Sequence, residues 1–249
     1  MPTPASPTAE QLPARTAAVW AALDPLVGAG TSLRVLDVGG GSGIFAVPLA
    51  QLGHDVTVVD PSADALATLR RRADNAGDGN LVRGDQGDGD LLHEVLPPAD
   101  GAGTGYDLAL CHFVLEVVDD PAVTLREIAG ALRPDGQVSI ATANRAGAVL
   151  ARALSGHPVE ALSLLADRDP APGRARPDRR RFAPSDLLEL VEGAGLRPDT
   201  WRGVAVVADL LDAASGADPA AVRALELALA ETSPYRDVAT GLHVLAARR

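Results

Sequence analysis

Short apolar runs alternate with helix-like segments along most of the chain. Seven runs have the length and composition of β-strands, at residues 34–38, 55–60, 80–83, 106–111, 137–143, 196–207 and 241–247. Between them, apolar residues recur at helical spacing, which predicts helices at 11–27, 44–52, 63–74, 122–132, 184–194, 209–213 and 219–232. In the last helix we expect Val222, Leu225 and Leu229 to face the core. The alternation predicts an α/β fold with helices on both faces of a mostly parallel sheet.

The first strand meets the next helix in a glycine-rich loop. Asp37 is followed by Gly39, Gly40, Gly41 and Gly43. Glycine is needed where the backbone turns with positive φ or lies directly against a ligand. The helix that begins here also points unpaired N–H groups into the loop. The stretch therefore predicts a cofactor-binding loop. The alternative is a plain strand-to-helix turn, which so many glycines would only weaken.

The spacing of these glycines argues against a dinucleotide cofactor. A dinucleotide loop follows the pattern G-x-G-x-x-G. Gly39 and Gly41 fit that pattern, but its last position is Ile44. A nicotinamide-dependent oxidoreductase is therefore disfavoured.

The second strand ends in an acidic residue, Asp60, followed by Pro61 and Ser62 at the start of the next helix. A carboxylate at the end of the second strand of a βαβ unit lies where a ribose binds. We therefore expect Asp60 to accept hydrogen bonds from both ribose hydroxyls, with Pro61 and Ser62 beside the cofactor. The alternative for Asp60 is a favourable charge at the helix N-terminus.

Composition limits the classes of function. The 249 residues are 47% hydrophobic, enough for a sizeable core, and the formal charge of −11 argues against general binding of polyanions. A single cysteine excludes an internal disulfide. We see no signal peptide and no apolar run of membrane-spanning length. We therefore expect a cytoplasmic protein with no membrane partner, and we predict no metal site.

Two segments depart from the alternating pattern. Residues 1–10 are rich in proline, alanine, serine and threonine, and we expect them to be disordered before a single domain at 11–249. At about 144–183 a weakly helical stretch leads into one rich in proline and arginine, which we interpret as a cap inserted over the site. Five arginines within 174–181 indicate a phosphate-binding surface or, alternatively, a solvated loop.

The spacing D-x-G-x-G-x-G resembles motif I of the class I S-adenosylmethionine-dependent methyltransferases, and 132–136 (Leu-Arg-Pro-Asp-Gly) resembles another of their hallmarks. The resemblance implies a Rossmann-like sheet of seven strands with the last one antiparallel, and S-adenosyl-L-methionine as cofactor. It also implies that Asp85, with Gln86 beside it, binds the adenine amino group. His112, at the end of the fourth strand, is a candidate for contact with the cofactor or for a catalytic base. The alternative for Asp85 and Gln86 is a solvated acidic loop, and the alternative for His112 is a packed core histidine.

Further residues are similar to those of the bacterial tRNA 5-carboxymethoxyuridine methyltransferase family, which esterifies the carboxylate of a modified wobble uridine. The matching segments are Arg15 with Trp20 after it, residues 112–121, Asn144 with Gly147, the arginine-rich stretch 174–181, Pro234-Tyr235 and residues 242–246. This resemblance implies that Arg15 holds the methionine carboxylate of the cofactor, since a bidentate arginine suits such a group.

Six residues are candidates for binding the methyl acceptor: Asn144, Arg179, Arg180, Arg181, Tyr235 and Arg236. We expect methyl transfer to a carboxylate or hydroxyl oxygen, and a carboxylate nucleophile would need no general base. The acceptor is either a modified tRNA or a small metabolite, because Thr240 and Gly241 stand where the tRNA enzymes carry Arg-Tyr. A cofactor-binding regulatory protein without turnover is the alternative from another class. The oligomeric state, monomer or homodimer, stays open.

The glycine spacing makes a prediction about ligand choice. Titration of the purified protein with S-adenosylhomocysteine should release or absorb heat, whereas NADH should give none. Binding of NADH without binding of the sulfur nucleoside would contradict the interpretation of the loop.

Overall fold

Seven strands form one sheet through the centre of the molecule. The computed structural model describes residues 13–28, 30–97, 105–166, 179–211 and 216–249. The strands are β1 Arg34–Val38, β2 Asp55–Asp60, β3 Val82–Gln86, β4 Tyr106–His112, β5 Leu132–Ala143, β6 Leu196–Val204 and β7 Gly241–Arg248.

The order of the strands across the sheet is β3-β2-β1-β4-β5-β7-β6. Strands β1 to β5 run parallel, and β7 is antiparallel to both β5 and β6. This confirms the predicted fold. The chain leaves β1 toward β2 and later returns to its other side with β4, so the crevice beyond β1 and β4 is the position where such sheets bind ligands.

Helices cover both faces of the sheet. They are α1 Ala17–Val27, α2 Ala46–Gln51, α3 Ala63–Ala76, α4 Leu92–Val95, α5 Pro121–Ala131, α6 Arg145–Leu154, α7 Pro158–Ala166, α8 Pro184–Gly193 and α9 Pro219–Leu229. One core cluster joins α1, α2 and α3 to the sheet, through residues such as Leu23, Leu49 and Leu69. The other joins α5 and α8 to the opposite face, through Leu125 and Leu187. Burial of these two apolar layers is the main stabilising contribution to the fold.

The third strand lies later in the chain than predicted. The sequence predicted residues 80–83, but β3 pairs with β2 from Val56 opposite Val82 to Asp60 opposite Gln86. Asp85 and Gln86 therefore belong to the ladder itself and not to the loop after it. The apolar signal is weak here because β3 is an edge strand, and pairing with β2 decides where it ends.

Helix α9 is oriented differently from the prediction. Leu225 is 45% exposed, whereas Arg223 and Glu226 are only 9% and 1% exposed. Hydrophobic periodicity placed Val222, Leu225 and Leu229 inward. Val222 and Leu229 are partly buried, so the prediction is wrong for Leu225. The reason is a specific polar contact made by Glu226.

The Glu226 carboxylate accepts hydrogen bonds from three successive backbone N–H groups. Its oxygens lie 2.8, 2.7 and 2.6 Å from the nitrogens of Val206, Val207 and Ala208. Hydrogen bonds to an ionised group contribute about 1.5–3 kcal/mol each. Together they outweigh the burial of a leucine side chain and fix the segment that follows β6.

The sequence predicts a helix at 209–213. Of these residues the structure describes 209–211, and they form a turn.

The segment predicted to cap the site begins with two packed helices, α6 and α7. Residues 167–178 of that segment, with three of its eight arginines, lie outside the described residues, as do residues 1–12. The single domain, the cap and the disordered N-terminus therefore stay predictions. Among the helices that the structure describes, none has both the length and the apolar character needed to cross a bilayer.

Close packing of α6 makes a prediction about stability. A Cβ added at Gly147 would lie 2.1 Å from the carbonyl oxygen of Ala239, whereas one added at Gly130 would meet nothing within 4 Å. Gly147→Ala should therefore lower the free energy of unfolding by about 1–3 kcal/mol. Gly130→Ala, in helix α5, should raise it by about 0.5–1 kcal/mol. Urea unfolding of both variants checks this, and equal stabilities would contradict it.

Candidate cofactor and acceptor site

The glycine loop has the strained geometry that only glycine adopts easily. Gly39, Gly41 and Gly43 have φ values of 66°, 54° and 77°. A Cβ at Gly39 would lie 2.4 Å from Cγ2 of Val114, and one at Gly43 would lie 2.3 Å from Cδ1 of Leu69. Glycine is therefore required both by backbone conformation and by packing. At Gly41 an added Cβ would meet no atom closer than Oδ2 of Asp60, 3.7 Å away, so this glycine is required by its positive φ and not by packing.

Asp60 holds the loop at the end of β2. Its Oδ2 accepts a hydrogen bond from the backbone N–H of Gly41, and its Oδ1 accepts one from the N–H of Ser62, both at 2.9 Å. The Ser62 hydroxyl in turn caps α3 by accepting from the N–H of Ala65. An ionised carboxylate has about four acceptor positions. Asp60 therefore retains acceptor capacity for the two ribose hydroxyls, and that role stays a prediction.

Asp37 lies buried beneath the loop. A Cβ at Gly40 would come within 2.4 Å of its Oδ2, so the fourth glycine is required by close approach to this carboxyl group. Burial, and secondarily the charge of Asp60, raise the pKa of Asp37 to about 7. Two acidic groups next to the loop suit a ligand with positive groups, and the sulfonium and ammonium of S-adenosylmethionine fit that requirement.

The predicted adenine-binding residues are engaged with neighbours in the structure. The Asp85 carboxylate forms an ion pair with the exposed Arg83, with Nε and Oδ2 2.8 Å apart. Gln86 Nε2 donates to the carbonyl oxygen of Pro61 at 3.0 Å, so Gln86 and Pro61 hold the ends of β2 and β3 together. Contact of Asp85 with adenine stays a prediction. It would require the Asp85 carboxylate either to leave Arg83 or to bind Arg83 and the adenine amino group at the same time.

His112 belongs to a buried polar chain that the sequence did not predict. Its Nε2 lies 2.8 Å from Oγ of Ser139, which lies 2.8 Å from Nε2 of His243. A serine hydroxyl has one proton, so it donates to one imidazole and accepts from the other. Burial lowers the pKa of His112 to about 3 and that of His243 well below its usual value. Both rings are therefore neutral at pH 7, and His112 is a poor general base.

The ring of His112 also connects the sheet to the N-terminal helix. It packs edge-on against Phe45, with ring centroids 4.4 Å apart, and Phe45 stacks on Trp20 at 5.0 Å. Trp20 anchors α1, and Arg15 lies in the short helical turn just before it. The matched spacing of Arg15 and Trp20 thus has a structural reason, since the aromatic anchor determines where the arginine emerges.

A pocket of about 130 Å³ opens at the ends of β4, β5, β6 and β7. Its lining residues are Arg15, Phe113, Glu116, Ala143, Arg179, Val204, Ala205, Thr240 and Gly241. Phe113 and Ala205 have positive φ values of 58° and 54°, and Asp135 is the only other such non-glycine residue in the described chain. Backbone strain of this kind is retained where function requires it.

Three of the nine lining residues are charged, namely Arg15, Glu116 and Arg179. Glu116 is 5% exposed, and its Oε1 accepts a hydrogen bond from the N–H of Ala143 at 2.6 Å. Burial raises the pKa of Glu116, although hydrogen bonds from its own N–H, from the N–H of Ala143 and from the Thr142 hydroxyl oppose this effect, as does the charge of Arg179. Arg15 forms an ion pair with Asp209, 3.2 Å away at the rim. The matched stretch 112–121 contains Glu116, but its role was not predicted.

Of the predicted acceptor-binding arginines, only Arg179 lines the pocket. The Arg180 guanidinium donates to the carbonyl oxygen of Val118 and, at 2.7 Å, to that of Asp119. It therefore holds the loop after β4, and its contact with the acceptor stays a prediction. Arg181 donates to the carbonyl oxygen of Arg179 at 3.2 Å, which helps to orient Arg179.

Asn144 has a structural role instead of the predicted contact with the acceptor. It is fully buried, and its Oδ1 accepts from the N–H of Ala146, which caps α6. Its Nδ2 donates to the carbonyl oxygens of Asp237 and Ala239 at 3.0 and 2.8 Å. Every donor of the amide is used, so Asn144 fixes α6 against the chain before β7.

Tyr235 and Arg236 are also outside the pocket lining. The Arg236 guanidinium lies 4.2 Å above the ring of Trp201 and donates to its carbonyl oxygen at 3.3 Å. Tyr235 is 50% exposed on the turn before β7. The sequence placed both residues near the acceptor because they precede β7, but packing against Trp201 turns Arg236 toward β6.

Comparisons with known proteins agree with this geometry. Residues 9–200 match a family model described as a methyltransferase domain. The chain is 32% identical over 146 residues to the tRNA 5-carboxymethoxyuridine methyltransferase of Escherichia coli K12, covering 57% of this chain and 53% of that protein. It is 33% identical over 192 residues to the ubiquinone biosynthesis O-methyltransferase of Xanthomonas axonopodis pv. citri, covering 77% and 72%. The chain thus spans about half the length of the first of these relatives.

A solved structure shares the fold. The magnesium protoporphyrin IX methyltransferase of Synechocystis PCC 6803, solved with bound S-adenosylhomocysteine, superposes with a TM-score of 0.59 at 15% identity. The similarity covers 95% of this chain and 83% of that one. At this identity the likeness concerns the fold, including the strand ends where the glycine loop lies.

The buried carboxyl group under the loop makes a prediction about pH. Because the pKa of Asp37 is about 7 when folded and 3.8 ordinarily, its contribution to stability is present below about pH 4 and is lost as pH rises toward 7. The Asp37→Asn variant has no ionisable group at this position, so it does not lose stability in this way as pH rises. In urea unfolding of the cofactor-free protein, the stability of the variant relative to wild type should therefore rise by about 1–3 kcal/mol from pH 5 to pH 7.

The control for this experiment is Asp199→Asn, which changes an exposed carboxylate on β6. Its stability relative to wild type should be independent of pH over the same range. Parallel curves for Asp37→Asn and wild type would contradict the raised pKa.

Proposed function

This chain belongs to the class I S-adenosylmethionine-dependent methyltransferases, and we propose that it transfers a methyl group to a carboxylate oxygen of a small acceptor. One observation carries the proposal. Arg15, expected to hold the methionine carboxylate of the cofactor, lines the same small pocket as Arg179 and Glu116. A pocket that adjoins the reactive end of the cofactor is the natural place for the acceptor.

The residues divide into a cofactor side and an acceptor side. On the cofactor side, the glycine loop and Asp60 bind the nucleoside, and Arg15 binds the methionine carboxylate. On the acceptor side, Arg179 pairs with the acceptor carboxylate and orients one oxygen toward the cofactor. When bound, S-adenosylmethionine supplies an electrophilic methyl group, so orientation of the two partners is the main contribution required of the protein.

The low basicity of His112 favours a carboxylate over a hydroxyl acceptor. A hydroxyl must lose its proton, and neutral His112, with its pKa lowered to about 3, takes up protons poorly at pH 7. A carboxylate is already ionised. It also suits the positive charge of Arg179, since arginine pairs with carboxylates through two parallel hydrogen bonds.

Modified tRNA is the second candidate acceptor, favoured by the likeness to the Escherichia coli enzyme over 57% of the chain. Against it stand the formal charge of −11 and the use of Arg180 to hold the loop after β4. Binding of tRNA depends on several cation–phosphate contacts and falls steeply with salt. A small acceptor held by one arginine should be less sensitive to salt.

Labelled cofactor distinguishes the two acceptors. The purified protein is incubated with methyl-labelled S-adenosylmethionine and with separated RNA and small-molecule fractions of a cell extract. We expect the label in the small-molecule fraction, released by mild base as expected for a methyl ester. Label in RNA would favour the second candidate, and no consumption of cofactor with any fraction would favour a regulatory protein.

The two arginines of the pocket should have separable effects. Arg15→Gln should weaken binding of S-adenosylhomocysteine by about 10- to 100-fold, because one charge-assisted pair is lost. Arg179→Gln should leave that affinity unchanged and raise KM for the acceptor by a similar factor. Calorimetry and initial rates measure the two quantities.

Arg197→Gln, at an exposed position on β6, is the matched control and should change neither quantity. The assignment of the two sides would be wrong if Arg179→Gln weakened cofactor binding while Arg15→Gln did not.

A further inference from the structure

The guanidinium of Arg15 is held by a carboxylate at the rim of the pocket. The Arg15 side chain is 63% exposed, and its Nη2 lies 3.2 Å from Oδ2 of Asp209. An arginine side chain has many rotamers, and fixing it in one of them costs conformational entropy. A ligand that binds Arg15 therefore gains affinity if a group of the protein has already fixed the guanidinium.

Asp209 is itself well ordered. Its side chain is only 25% exposed, and its Oδ2 also accepts a hydrogen bond from Oγ1 of Thr240, 2.7 Å away. Thr240 lines the pocket. The backbone just before Asp209, at residues 206–208, is fixed by the three hydrogen bonds to Glu226. Asp209 is therefore a fixed partner for a flexible arginine.

Helix α9 brings the two partners together. The short helical turn Ala14–Thr16, which contains Arg15, packs against α9. Glu226, on the same helix, holds the segment that leads to Asp209. One helix thus sets the positions of both the guanidinium and the carboxylate. Isolated ion pairs on a protein surface contribute little to stability, whereas this pair belongs to the packed frame of the site.

We propose that Asp209 is a positioning residue for the cofactor: it holds Arg15 in the orientation in which the guanidinium binds the methionine carboxylate. The inference rests on the proposed function, which gives Arg15 that role. A guanidinium has five N–H donors, so contact with Oδ2 of Asp209 leaves donors for a second carboxylate. Asp209 does not touch the cofactor and acts through Arg15.

Two effects of Asp209 on cofactor binding oppose each other. Its negative charge repels the carboxylate of the ligand, whereas its ion pair with Arg15 fixes the guanidinium in advance. The methionine end of the cofactor is a zwitterion, with the carboxylate and an ammonium group on one carbon. Attraction of the ammonium therefore largely offsets repulsion of the carboxylate. The ordering of Arg15 decides the sign, and loss of the Asp209 charge should weaken binding.

Two nucleosides that differ at the methionine end provide the test. S-adenosylhomocysteine carries the carboxylate, and 5′-methylthioadenosine lacks the whole amino-acid group. In calorimetry, Asp209→Asn should weaken binding of S-adenosylhomocysteine by about 3- to 10-fold, as expected when one flexible side chain loses its fixed position. Binding of 5′-methylthioadenosine should be unchanged. Asp199→Asn, which removes an exposed carboxylate on β6, is the matched control and should change neither affinity.

A double variant tests whether Asp209 acts through Arg15. Arg15→Gln combined with Asp209→Asn should bind S-adenosylhomocysteine as Arg15→Gln alone does, within about twofold, because no guanidinium is left to position. The hydroxyl that holds Asp209 gives a second test. Thr240→Val removes it and should weaken binding of S-adenosylhomocysteine by about 2- to 5-fold, whereas Thr240→Ser keeps it and should retain the affinity.

Three results would overturn the inference: equal weakening of both nucleosides by Asp209→Asn, tighter binding of S-adenosylhomocysteine by that variant, or additive effects in the double variant. Thermal unfolding verifies that each variant is folded. If Asp209→Asn is not, the comparison of Thr240→Val with Thr240→Ser decides.

Failure of the proposed function gives a different pattern. If Arg15→Gln leaves the affinity for S-adenosylhomocysteine unchanged, Arg15 does not hold the methionine carboxylate, and the cofactor side of the proposed function is wrong. If Arg15→Gln weakens that affinity but Asp209→Asn does not, the proposed function stands and only the positioning role of Asp209 is rejected.

Discussion

The carboxylate of Asp60 makes the contact on which the site depends. It accepts hydrogen bonds from the N–H groups of Gly41 and Ser62, so one side chain joins the end of β2, the glycine loop and the start of α3. The loop then lies across the carboxyl edge of the sheet, with Asp37 buried under Gly40. A nucleoside cofactor needs this arrangement because its ribose and its charged tail extend in different directions from one point.

The antiparallel strand β7 builds the other half of the site. By inserting between β5 and β6, it brings Thr240 and Gly241 beside the ends of β4 and β5. Glu226 then fixes the segment after β6 by three backbone hydrogen bonds. The pocket at the ends of β4 to β7 is therefore walled by backbone that is held from outside, while Arg15, Arg179 and Glu116 supply its charges.

The chemistry of the pocket follows from where polar groups are buried. His112 is neutral, because burial lowers its pKa to about 3, whereas burial raises the pKa of Glu116. Arg15, Arg179 and the buried carboxyl group of Glu116 place charges of both signs around the pocket. His112 supplies little general base, which agrees with the proposed transfer to an oxygen that is already ionised.

Sequence alone determined the order of elements, the glycine loop, the acid at the end of β2 and the position of Arg15. These features depend on short-range rules, such as strand length, helix capping and the steric limits on positive φ. Only the tertiary structure decided which side chains face the pocket. It placed Asn144, Arg180 and Arg236 in structural contacts, buried Glu226 instead of Leu225 on α9 and joined Ser139 to His243, 104 residues away. The physical reason is that the partner of a polar side chain depends on which distant groups meet it where water is excluded, and no local pattern records that.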